Sequence, residues 1–439
     1  MSERRVAVLL LTNEGFRQFD GGVARYIHNI LDARDAAATV AAGYGVTVDW
    51  HVAERGVWIG TDEEQFRWAI DRYVRPGSVR YHSMVDPRTD GWMDHFEHCV
   101  ATGAAVGQVV VDIADTADSV LVVGGMTIFA MAARFVIRAC DQFGIRATYV
   151  HMTHEPVLRP NGDAELPGTY ADSVLGHLAR ADDRVQVGWE SDWMRRQYQQ
   201  VFGLPDGKLL FARAGVPTDD PKFQRREPAE VERILRSVGV PTDRDLVLSW
   251  GRGAEQKGFG LLIDAARAAS ATAGVDLTPV VANPRHNPDL DAYVRRVGSP
   301  AVLLHGHGDD VLSALCQWPR TVCAAFLSDV EAASVTPVEA ALMGGPGGLV
   351  VVVVPTGVYP ELVDDGQDGL IAREREVGAV ARTLVTAARM APQQRYRVGR
   401  AAHERARREH DFRTNWLCSF DEMLGRHLAV TDEVIHKEQ

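Results

Sequence analysis

Short apolar runs alternate with amphipathic stretches along most of this 439-residue chain. A first series of runs predicts strands over residues 6–11, 120–123, 148–151, 185–187 and 209–212. A second series predicts strands over residues 246–250, 279–282, 302–304, 322–325 and 349–354. Several runs are continuously apolar, as expected for parallel strands that are covered by helices on both faces. The pattern therefore predicts a parallel α/β architecture.

Apolar residues at helical spacing mark the segments between the predicted strands. One stripe consists of Leu261, Leu262, Ala265 and Ala266, and another of Val231, Ile234, Leu235 and Val238. After Asp411 the tail carries a third set, Trp416, Leu417, Phe420, Met423 and Leu424. We expect the tail to form a helix that crosses back to the first half of the chain.

The strand series restarts near the middle of the chain. Gly215-Val216-Pro217 is followed by a polar, proline-bearing stretch that ends at Pro228, which is typical of a linker. We therefore predict two α/β domains, at residues 1–215 and 216–410, with a crossover helix and tail at 411–439. A chain of this length fits two domains or three.

Composition restricts the class of protein. Apolar residues make up 46% and charged residues 24%, which is ordinary globular usage. The formal net charge of −12 argues against nucleic-acid binding, which depends on neutralising phosphates.

No apolar run is long enough for a membrane span, and residues 6–11 are too few for a signal-peptide core. Five scattered cysteines favour reduced thiols in a cytoplasmic protein.

Candidate metal ligands are sparse in the sequence. The histidine pairs at helical spacing are His95/His98 and His151/His154, and neither has a third ligand placed nearby. Two segments match Asp-x-Asp, at residues 243–245 and 289–291, but neither directly follows a hydrophobic strand. We read both segments as surface and expect no metal site.

A glycine-rich turn follows the predicted strand 246–250. It reads Gly251-Arg252-Gly253-Ala254-Glu255-Gln256-Lys257-Gly258 and precedes a predicted helix, which makes it a natural anion site. It matches neither the dinucleotide fingerprint, which needs glycine in place of Gln256, nor the P-loop. The guanidinium fork of Arg252 and the point charge of Lys257 suit a diphosphate. The alternative is a solvated loop.

Two carboxylates, Glu331 and Glu339, follow the predicted strand 322–325. Thr336-Pro337-Val338-Glu339 predicts a helix start in which Thr336 is the N-cap and Glu339 completes a capping box. That box would explain Glu339 without any further function. Glu331 precedes the helix in a loop, where a carboxylate can accept hydrogen bonds from sugar hydroxyls.

An adjacent pair of glycines, Gly21-Gly22, stands before a predicted helix near the N-terminus. Glycine lets a ligand approach the backbone closely, although glycines are common at such turns.

Taken together, these motifs resemble the retaining family 4 glycosyltransferases of GT-B fold. Gly-Gly-Val, Gly-Arg-x4-Lys-Gly and Glu-x7-Glu occur in that family's order and at its distances. Residues 146–151 resemble its strand ending in an active-site histidine, 215–217 its Gly-Val-Asp junction, and 355–370 its late Gly-x-Pro-Glu and Asp-Gly-x-x-Gly-Leu run. The match is good from about 245 to 372 and scattered in the first half. Ala333-Ser334 departs from the family's Phe-Gly, and Tyr359 is an apparent insertion.

The resemblance implies two Rossmann-like domains facing each other across a cleft, with the nucleotide sugar on the second and the acceptor on the first. It implies that Arg252 and Lys257 hold the donor diphosphate, helped by the helix N-terminus at Thr336. Glu339 would bind the ribose hydroxyls, and Glu331 the donor sugar near its reacting carbon.

In the first domain the resemblance implies that Gly21 and Gly22 lie against the donor phosphates or the acceptor. It places His151 near the acceptor or the sugar. A buried histidine at a strand end is the alternative for His151.

The activity implied is sugar transfer with retention, without a metal or another cofactor and without a protein nucleophile. The donor would be a nucleotide diphosphate sugar, with UDP favoured, and the acceptor a sugar, cyclitol or other hydroxylated small molecule. Two alternatives remain at this point: a GT-B sugar-nucleotide epimerase or hydrolase, and a non-catalytic nucleotide-sugar binder, which the departure at Ser334 motivates.

Overall fold

A computed structural model describes residues 4–17, 22–55, 62–84, 96–153 and 169–438. The chain divides into two compact units, one formed by Met1–Arg213 with Arg413–Gln439 and the other by Ala214–Phe412. Each unit is built around its own parallel sheet, with helices connecting successive strands.

The first unit contains a sheet of seven strands within the described residues, in the order β3-β2-β1-β4-β5-β6-β7. The strands are β1 Arg4–Thr12, β2 Val46–Glu54, β3 Val79–Ser83, β4 Ser119–Gly125, β5 Ala147–Thr153, β6 Val185–Trp189 and β7 Leu209–Phe211. The helices are α1 Gly22–Asp32, α2 Arg34–Gly43, α3 Glu63–Ala69, α4 Phe96–Ala114, α5 Ala132–Phe143, α6 Thr169–Ala181 and α7 Asp192–Phe202.

The second unit contains a six-stranded parallel sheet in the order β10-β9-β8-β11-β12-β13. Its strands are β8 Asp245–Trp250, β9 Leu277–Asn283, β10 Val302–His305, β11 Thr321–Phe326, β12 Val350–Val353 and β13 Leu370–Ile371. Its helices are α8 Pro228–Ser237, α9 Phe259–Ala273, α10 Pro288–Val297, α11 Asp309–Gln317, α12 Thr336–Gly344, α13 Tyr359–Leu362, α14 Val377–Arg389 and α15 Pro392–Glu409.

The last helix, α16 Phe412–Glu438, begins at the end of the second unit and groups with the first. Its apolar stripe is buried, including Trp416 and Phe420. His427 ties it to the sheet, because its Nδ1 lies 2.8 Å from Thr148 Oγ1 and its Nε2 lies 2.8 Å from Ser119 Oγ. The predicted tail helix is therefore present.

Every predicted strand corresponds to an observed one, because continuous apolar runs are buried between helices. The prediction missed β2, β3 and β13. β2 carries His51 and Glu54 among its buried residues, which breaks the apolar pattern, and β13 is only two residues long. All five cysteines are free, and Cys418 is exposed. Among the described helices, none is long and apolar enough to cross a bilayer.

Both sheets reverse their strand order at an inner pair of strands, β1 and β4 in the first unit and β8 and β11 in the second. In open parallel sheets, ligands bind outside the carboxyl ends of the strands at such a reversal. The turn after β8 and the loop after β11 therefore lie where a ligand is expected to bind in the second unit.

Candidate functional site

The turn after β8 depends on glycine geometry. Gly251 has φ +148°, and Gly258, which precedes α9, has φ +72°. A side chain on Gly258 would place its Cβ 2.5 Å from the carbonyl oxygen of Leu327. The turn therefore packs directly against the loop that follows β11.

Backbone and side-chain contacts join these two loops. The N–H of Asp329 donates to the carbonyl of Gln256 at 2.9 Å. The Nζ of Lys257 forms an ion pair with Oε1 of Glu331, and both side chains are largely buried. The fold thus brings together two predicted site residues that are 74 positions apart.

Two hydroxyl groups hold the carboxylate of Glu331 from its other side. Ser328 Oγ donates to Glu331 Oε1 at 2.7 Å, and Tyr359 OH donates to Ser328 Oγ at 3.2 Å. Burial, together with the charge of Glu331, raises the pKa of Tyr359, so its phenol remains a donor. Ser328 was not predicted as a site residue, and Tyr359 stood out in the sequence only as an insertion.

The backbone of Glu331 is fixed by the segment that precedes Tyr359. Val358 N–H donates to the Glu331 carbonyl at 2.9 Å. Gly357 has φ +56°, and a Cβ there would lie 2.1 Å from the same oxygen. Only glycine fits, so the late Pro355–Gly357 segment of the sequence supports the Glu331 loop.

Arg252 is the exposed cation of the turn. Within the part of the chain that the structure describes, it makes no ion pair. Its neighbour Gly253 is anchored, because Asn287 Nδ2 donates to the Gly253 carbonyl at 2.9 Å. The turn therefore presents one unpaired guanidinium and one ammonium that is shared with a carboxylate, an arrangement that can receive an anion.

The capping box predicted at Thr336 is wrong. Thr336 is the first residue of α12, and the N-cap is Val335, with no side-chain cap hydrogen bond. The carboxylate of Glu339 instead accepts from Lys222 Nζ at 2.7 Å. Its attraction to a buried ammonium replaces the bond to the helix N-terminus.

The Lys222–Glu339 pair is buried on both sides, with side-chain exposures of 7% and 9%. A second carboxylate, Asp309 Oδ2 at the start of α11, lies 3.8 Å from the same ammonium. Lys222 is in the stretch that the sequence suggested was a polar linker. No local sequence signal distinguishes it there.

In the first unit, His151 lies in β5 with 2% of its surface exposed. Tyr149 OH lies 2.7 Å from the Phe129 carbonyl and 2.9 Å from His151 Nδ1. Because the single phenol proton goes to the carbonyl, Nδ1 of His151 donates its proton to the phenol oxygen. Tyr149 therefore fixes the orientation of the His151 ring.

The predicted glycine pair is only partly described. Gly22 begins α1, whereas Gly21 falls outside the described residues. His95 and His154, each one member of a histidine pair considered for metal binding, also fall outside them.

Glu54, at the end of β2, organises the loop after β1 and was missed from the sequence. Its Oε1 accepts from the N–H of Phe16 at 2.9 Å and of Arg17 at 3.0 Å, and its Oε2 accepts from Tyr81 OH at 2.7 Å. Burial raises the pKa of Glu54, although these bonds favour the ionised form. The loop at the reversal point of the first sheet is thus held by one carboxylate.

Part of the second unit matches a known protein family. Residues 244–389 match the family described as glycosyl transferases group 1. That segment contains Arg252, Lys257, Glu331 and Glu339. None of the curated proteins compared with the chain matches it.

Solved structures share the fold over nearly the whole chain. HepE from Anabaena, in complex with UDP-glucose, superposes with a TM-score of 0.68 at 17% identity over 95% of this chain and 99% of its own. Sucrose-phosphate synthase from Thermosynechococcus elongatus gives 0.69 at 13% identity over 96% and 99%. WaaG, a glycosyltransferase of lipopolysaccharide biosynthesis, gives 0.66 at 15% identity over 96% and 100%. The predicted GT-B fold class, with two Rossmann-like domains, is confirmed.

Proposed function

We propose that this protein is a glycosyltransferase that moves a sugar from a nucleotide diphosphate sugar to a hydroxyl group of a small molecule or glycan. The Lys257–Glu331 pair carries the proposal, because it stands beside the unpaired Arg252 at the strand-order reversal of the second sheet. The match of residues 244–389 to group 1 glycosyl transferases supports it independently.

The charges fit the bond that must break. Cleavage of the bond between the sugar's anomeric carbon and the phosphate oxygen builds negative charge on the leaving diphosphate. Arg252, Lys257 and the N-terminus of α12 at Thr336 stabilise that charge, which is the work a divalent metal does in other enzymes. We therefore propose transfer without a metal at the diphosphate.

The carboxylates bind the two sugars of the donor. Glu331, oriented by Ser328 and Tyr359, accepts hydrogen bonds from hydroxyls of the transferred sugar. Glu339, held by Lys222, accepts those of the ribose. HepE has been crystallised with UDP-glucose, and this supports a UDP-sugar as the donor here.

Stereochemistry and acceptor follow the family resemblance. We propose retention by attack of the acceptor hydroxyl on the face that the phosphate leaves, with the acceptor proton passing to a phosphate oxygen. The acceptor, a sugar, cyclitol or other hydroxylated molecule, binds the first unit near His151 and the Gly21-Gly22 pair of the sequence. His151, whose ring is oriented by Tyr149, is the side chain of the first unit that we propose to lie near the acceptor or the sugar.

The test measures binding and turnover separately. Thermal shift with UDP, GDP, ADP and their glucose conjugates identifies the donor, because ligands of the folded state raise the melting temperature. Lys257→Ala should abolish the diphosphate-dependent shift. Lys208→Ala is the matched control, since Lys208 is also paired, with Asp183 at 2.6 Å, in the first unit.

An acceptor panel then distinguishes transfer from the alternatives. New glycoside formation that fails in Lys257→Ala supports the proposal. Epimerisation or hydrolysis of the sugar nucleotide without any acceptor would instead indicate an epimerase or hydrolase. Binding with no chemistry across the panel would indicate a non-catalytic binder. An unchanged thermal shift in Lys257→Ala would contradict the assigned site.

A further inference from the structure

Three side chains of types that can bind a metal converge at the carboxyl edge of the second sheet. They are His286, Asp291 and His305, and one ligand atom of each lies within 4.8 Å of the others. Asp291 Oδ2 is 2.5 Å from His286 Nε2, and its Oδ1 is 3.4 Å from His305 Nε2. The cluster joins a loop, a helix and a strand end.

The backbone explains why these residues meet. β9 and β10 are parallel neighbours, with His305 opposite Asn283, so both strands end at the same edge. His286 lies in the loop that leaves β9, and Asp291 lies in the first turn of α10. The Gly306 N–H closes the edge by donating to the Asn283 carbonyl at 2.9 Å.

The start of α10 is anchored on two sides. Asn287 Oδ1 accepts from the Leu290 N–H at 3.1 Å, which caps the helix. Its Nδ2 donates to the Gly253 carbonyl, as described above. Asp291 is therefore presented from a fixed position, whereas His286 retains freedom, since 61% of its side chain is exposed.

We propose that His286, Asp291 and His305 bind one divalent transition-metal ion of the zinc class, with water completing the coordination. Zinc is bound by imidazole nitrogen and carboxylate oxygen at about 2.0–2.2 Å, so two ligands of a tetrahedral ion are about 3.4 Å apart. The Asp291–His305 separation already has this value. His286 Nε2 contacts the other carboxylate oxygen, Oδ2, and must move off it to reach the metal, which the exposed ring of His286 permits.

The donor set selects the kind of metal. Two imidazoles and one carboxylate suit zinc, cobalt and nickel, whereas calcium and magnesium prefer oxygen ligands alone. The ion ties the β9–α10 loop to the end of β10. Through Asn287 it also braces Gly253, the neighbour of Arg252. Its role is structural, and it is distinct from the metal-free chemistry proposed at the diphosphate.

Metal binding is measured directly, so the test does not depend on glycosyl transfer. The full-length chain, without an affinity tag and stripped with EDTA, is titrated with ZnCl2 by calorimetry. We expect one Zn²⁺ per chain and a higher melting temperature in its presence. Co²⁺ should give the visible absorption of a four-coordinate nitrogen–oxygen site.

Substitutions separate this site from adventitious binding. Asp291→Asn and His286→Ala should each weaken Zn²⁺ affinity by at least about 10-fold and remove the thermal shift. Asp289→Asn, an exposed carboxylate in the same helical turn, and His177→Ala, an exposed histidine of the first unit, should bind as the wild type does.

Each remaining outcome overturns the proposal. Wild-type protein that takes up no Zn²⁺ would show that the cluster is a hydrogen-bonded group only. Equal affinity in Asp291→Asn and Asp289→Asn would place the ion elsewhere. Circular dichroism of each variant in EDTA verifies that it is folded, and His286, being exposed, supplies the variant least able to disturb the fold.

Discussion

Lys222 Nζ lies 2.7 Å from Glu339 Oε1 in a pair that is almost completely buried, although the two residues are 117 positions apart. The pair fastens the segment that enters the second unit to α12, the helix whose N-terminus is proposed to face the diphosphate. The pair determines the position of the Glu339 carboxylate, for which the sequence predicted a capping-box bond at the start of α12.

Removing one partner of this pair should be costly. Lys222→Met keeps the apolar stem but removes the ammonium that is paired with the buried Glu339, so we expect a loss of about 3–5 kcal/mol in the free energy of unfolding. Lys222→Met combined with Glu339→Met should recover much of that loss. Urea unfolding of the single and double variants measures the coupling.

Lys208→Met provides the control for the pair. Lys208 is bonded to Asp183, whose side chain is 83% exposed, so its substitution should cost no more than about 1 kcal/mol. If Lys222→Met proves no more destabilising than Lys208→Met, the buried pair does not stabilise the second unit.

Gly357 should not tolerate a side chain. Its φ of +56° is unfavourable for any L-residue, and a Cβ would collide with the Glu331 carbonyl oxygen. We expect Gly357→Ala to lower the free energy of unfolding by about 3 kcal/mol or more, from backbone strain plus overpacking. Gly366→Ala isolates the strain, since Gly366 has φ +75° with nothing within 4 Å.

Comparing the two glycine variants separates backbone strain from the collision with the Glu331 loop. Gly366→Ala should cost about 1–2 kcal/mol, the penalty for the left-handed conformation alone. Chemical denaturation gives both values. Equal destabilisation by the two substitutions would show that the Glu331 loop shifts to accommodate a methyl group at position 357 without an energetic cost.

Tyr359→Phe should slow turnover rather than weaken donor binding. The phenol reaches Glu331 through Ser328, so it acts as a positioning residue. A misplaced Glu331 should lower kcat by about 10- to 100-fold, with KM for the donor changed little. Steady-state kinetics with the identified donor and acceptor separate the two parameters.

Ser328→Ala is the companion variant, because it removes the hydroxyl that links Tyr359 to Glu331. It should reproduce the kinetic effect of Tyr359→Phe, and the double variant should add little to either. Additive losses would mean that the two hydroxyls act independently on Glu331.

Acid should weaken the attachment of α16 through His427. Burial, with a contribution from Arg4, lowers the pKa of His427 to about 3, whereas an unfolded histidine titrates near about 6.5. Between these values the unfolded chain binds a proton that the folded chain does not. Stability should therefore fall as the pH drops below about 6.5, with a contribution from His427 of about 1.4 kcal/mol per pH unit.

His427→Gln tests the assignment, since an amide can both donate and accept toward Ser119 and Thr148. Its stability should decline less steeply than that of the wild type between pH 6 and pH 4, as measured by urea unfolding at several pH values. His51, whose pKa burial lowers to about 4, accounts for part of the remaining slope. Parallel wild-type and variant profiles would rule out His427 as a source of acid sensitivity.

Much of the fold was accessible from the sequence. The continuous apolar run of residues 349–354 predicted a buried strand, because strands covered on both faces are near-continuous runs of apolar residues. β2 was missed, because its carboxyl half buries His51 and Glu54, whose side chains form hydrogen bonds to groups on other strands or loops. A local pattern cannot show that a buried polar group has found such a partner.

Some residues of the candidate site could be predicted from the sequence, and others could not. Arg252, Lys257 and Glu331 were predicted from motifs, because their spacing relative to strand ends is local. Lys222, Ser328 and the role of Tyr359 were not, because each acts through a residue that is distant in sequence or through a side chain of ordinary type. Asp291 was read as surface, since its partner His305 belongs to the next strand.

The sequence by itself determined the alternation of strands and helices, the restart of the series near Gly215, and the cations placed at the turn after β8. Tertiary structure decided which charges meet. Lys257 pairs with Glu331, Glu339 turns to Lys222 rather than to its own helix, and His286 joins Asp291 and His305. Periodicity is a property of neighbours along the chain, whereas the partners of a charged side chain are selected by strand order and by the cost of burying it unpaired.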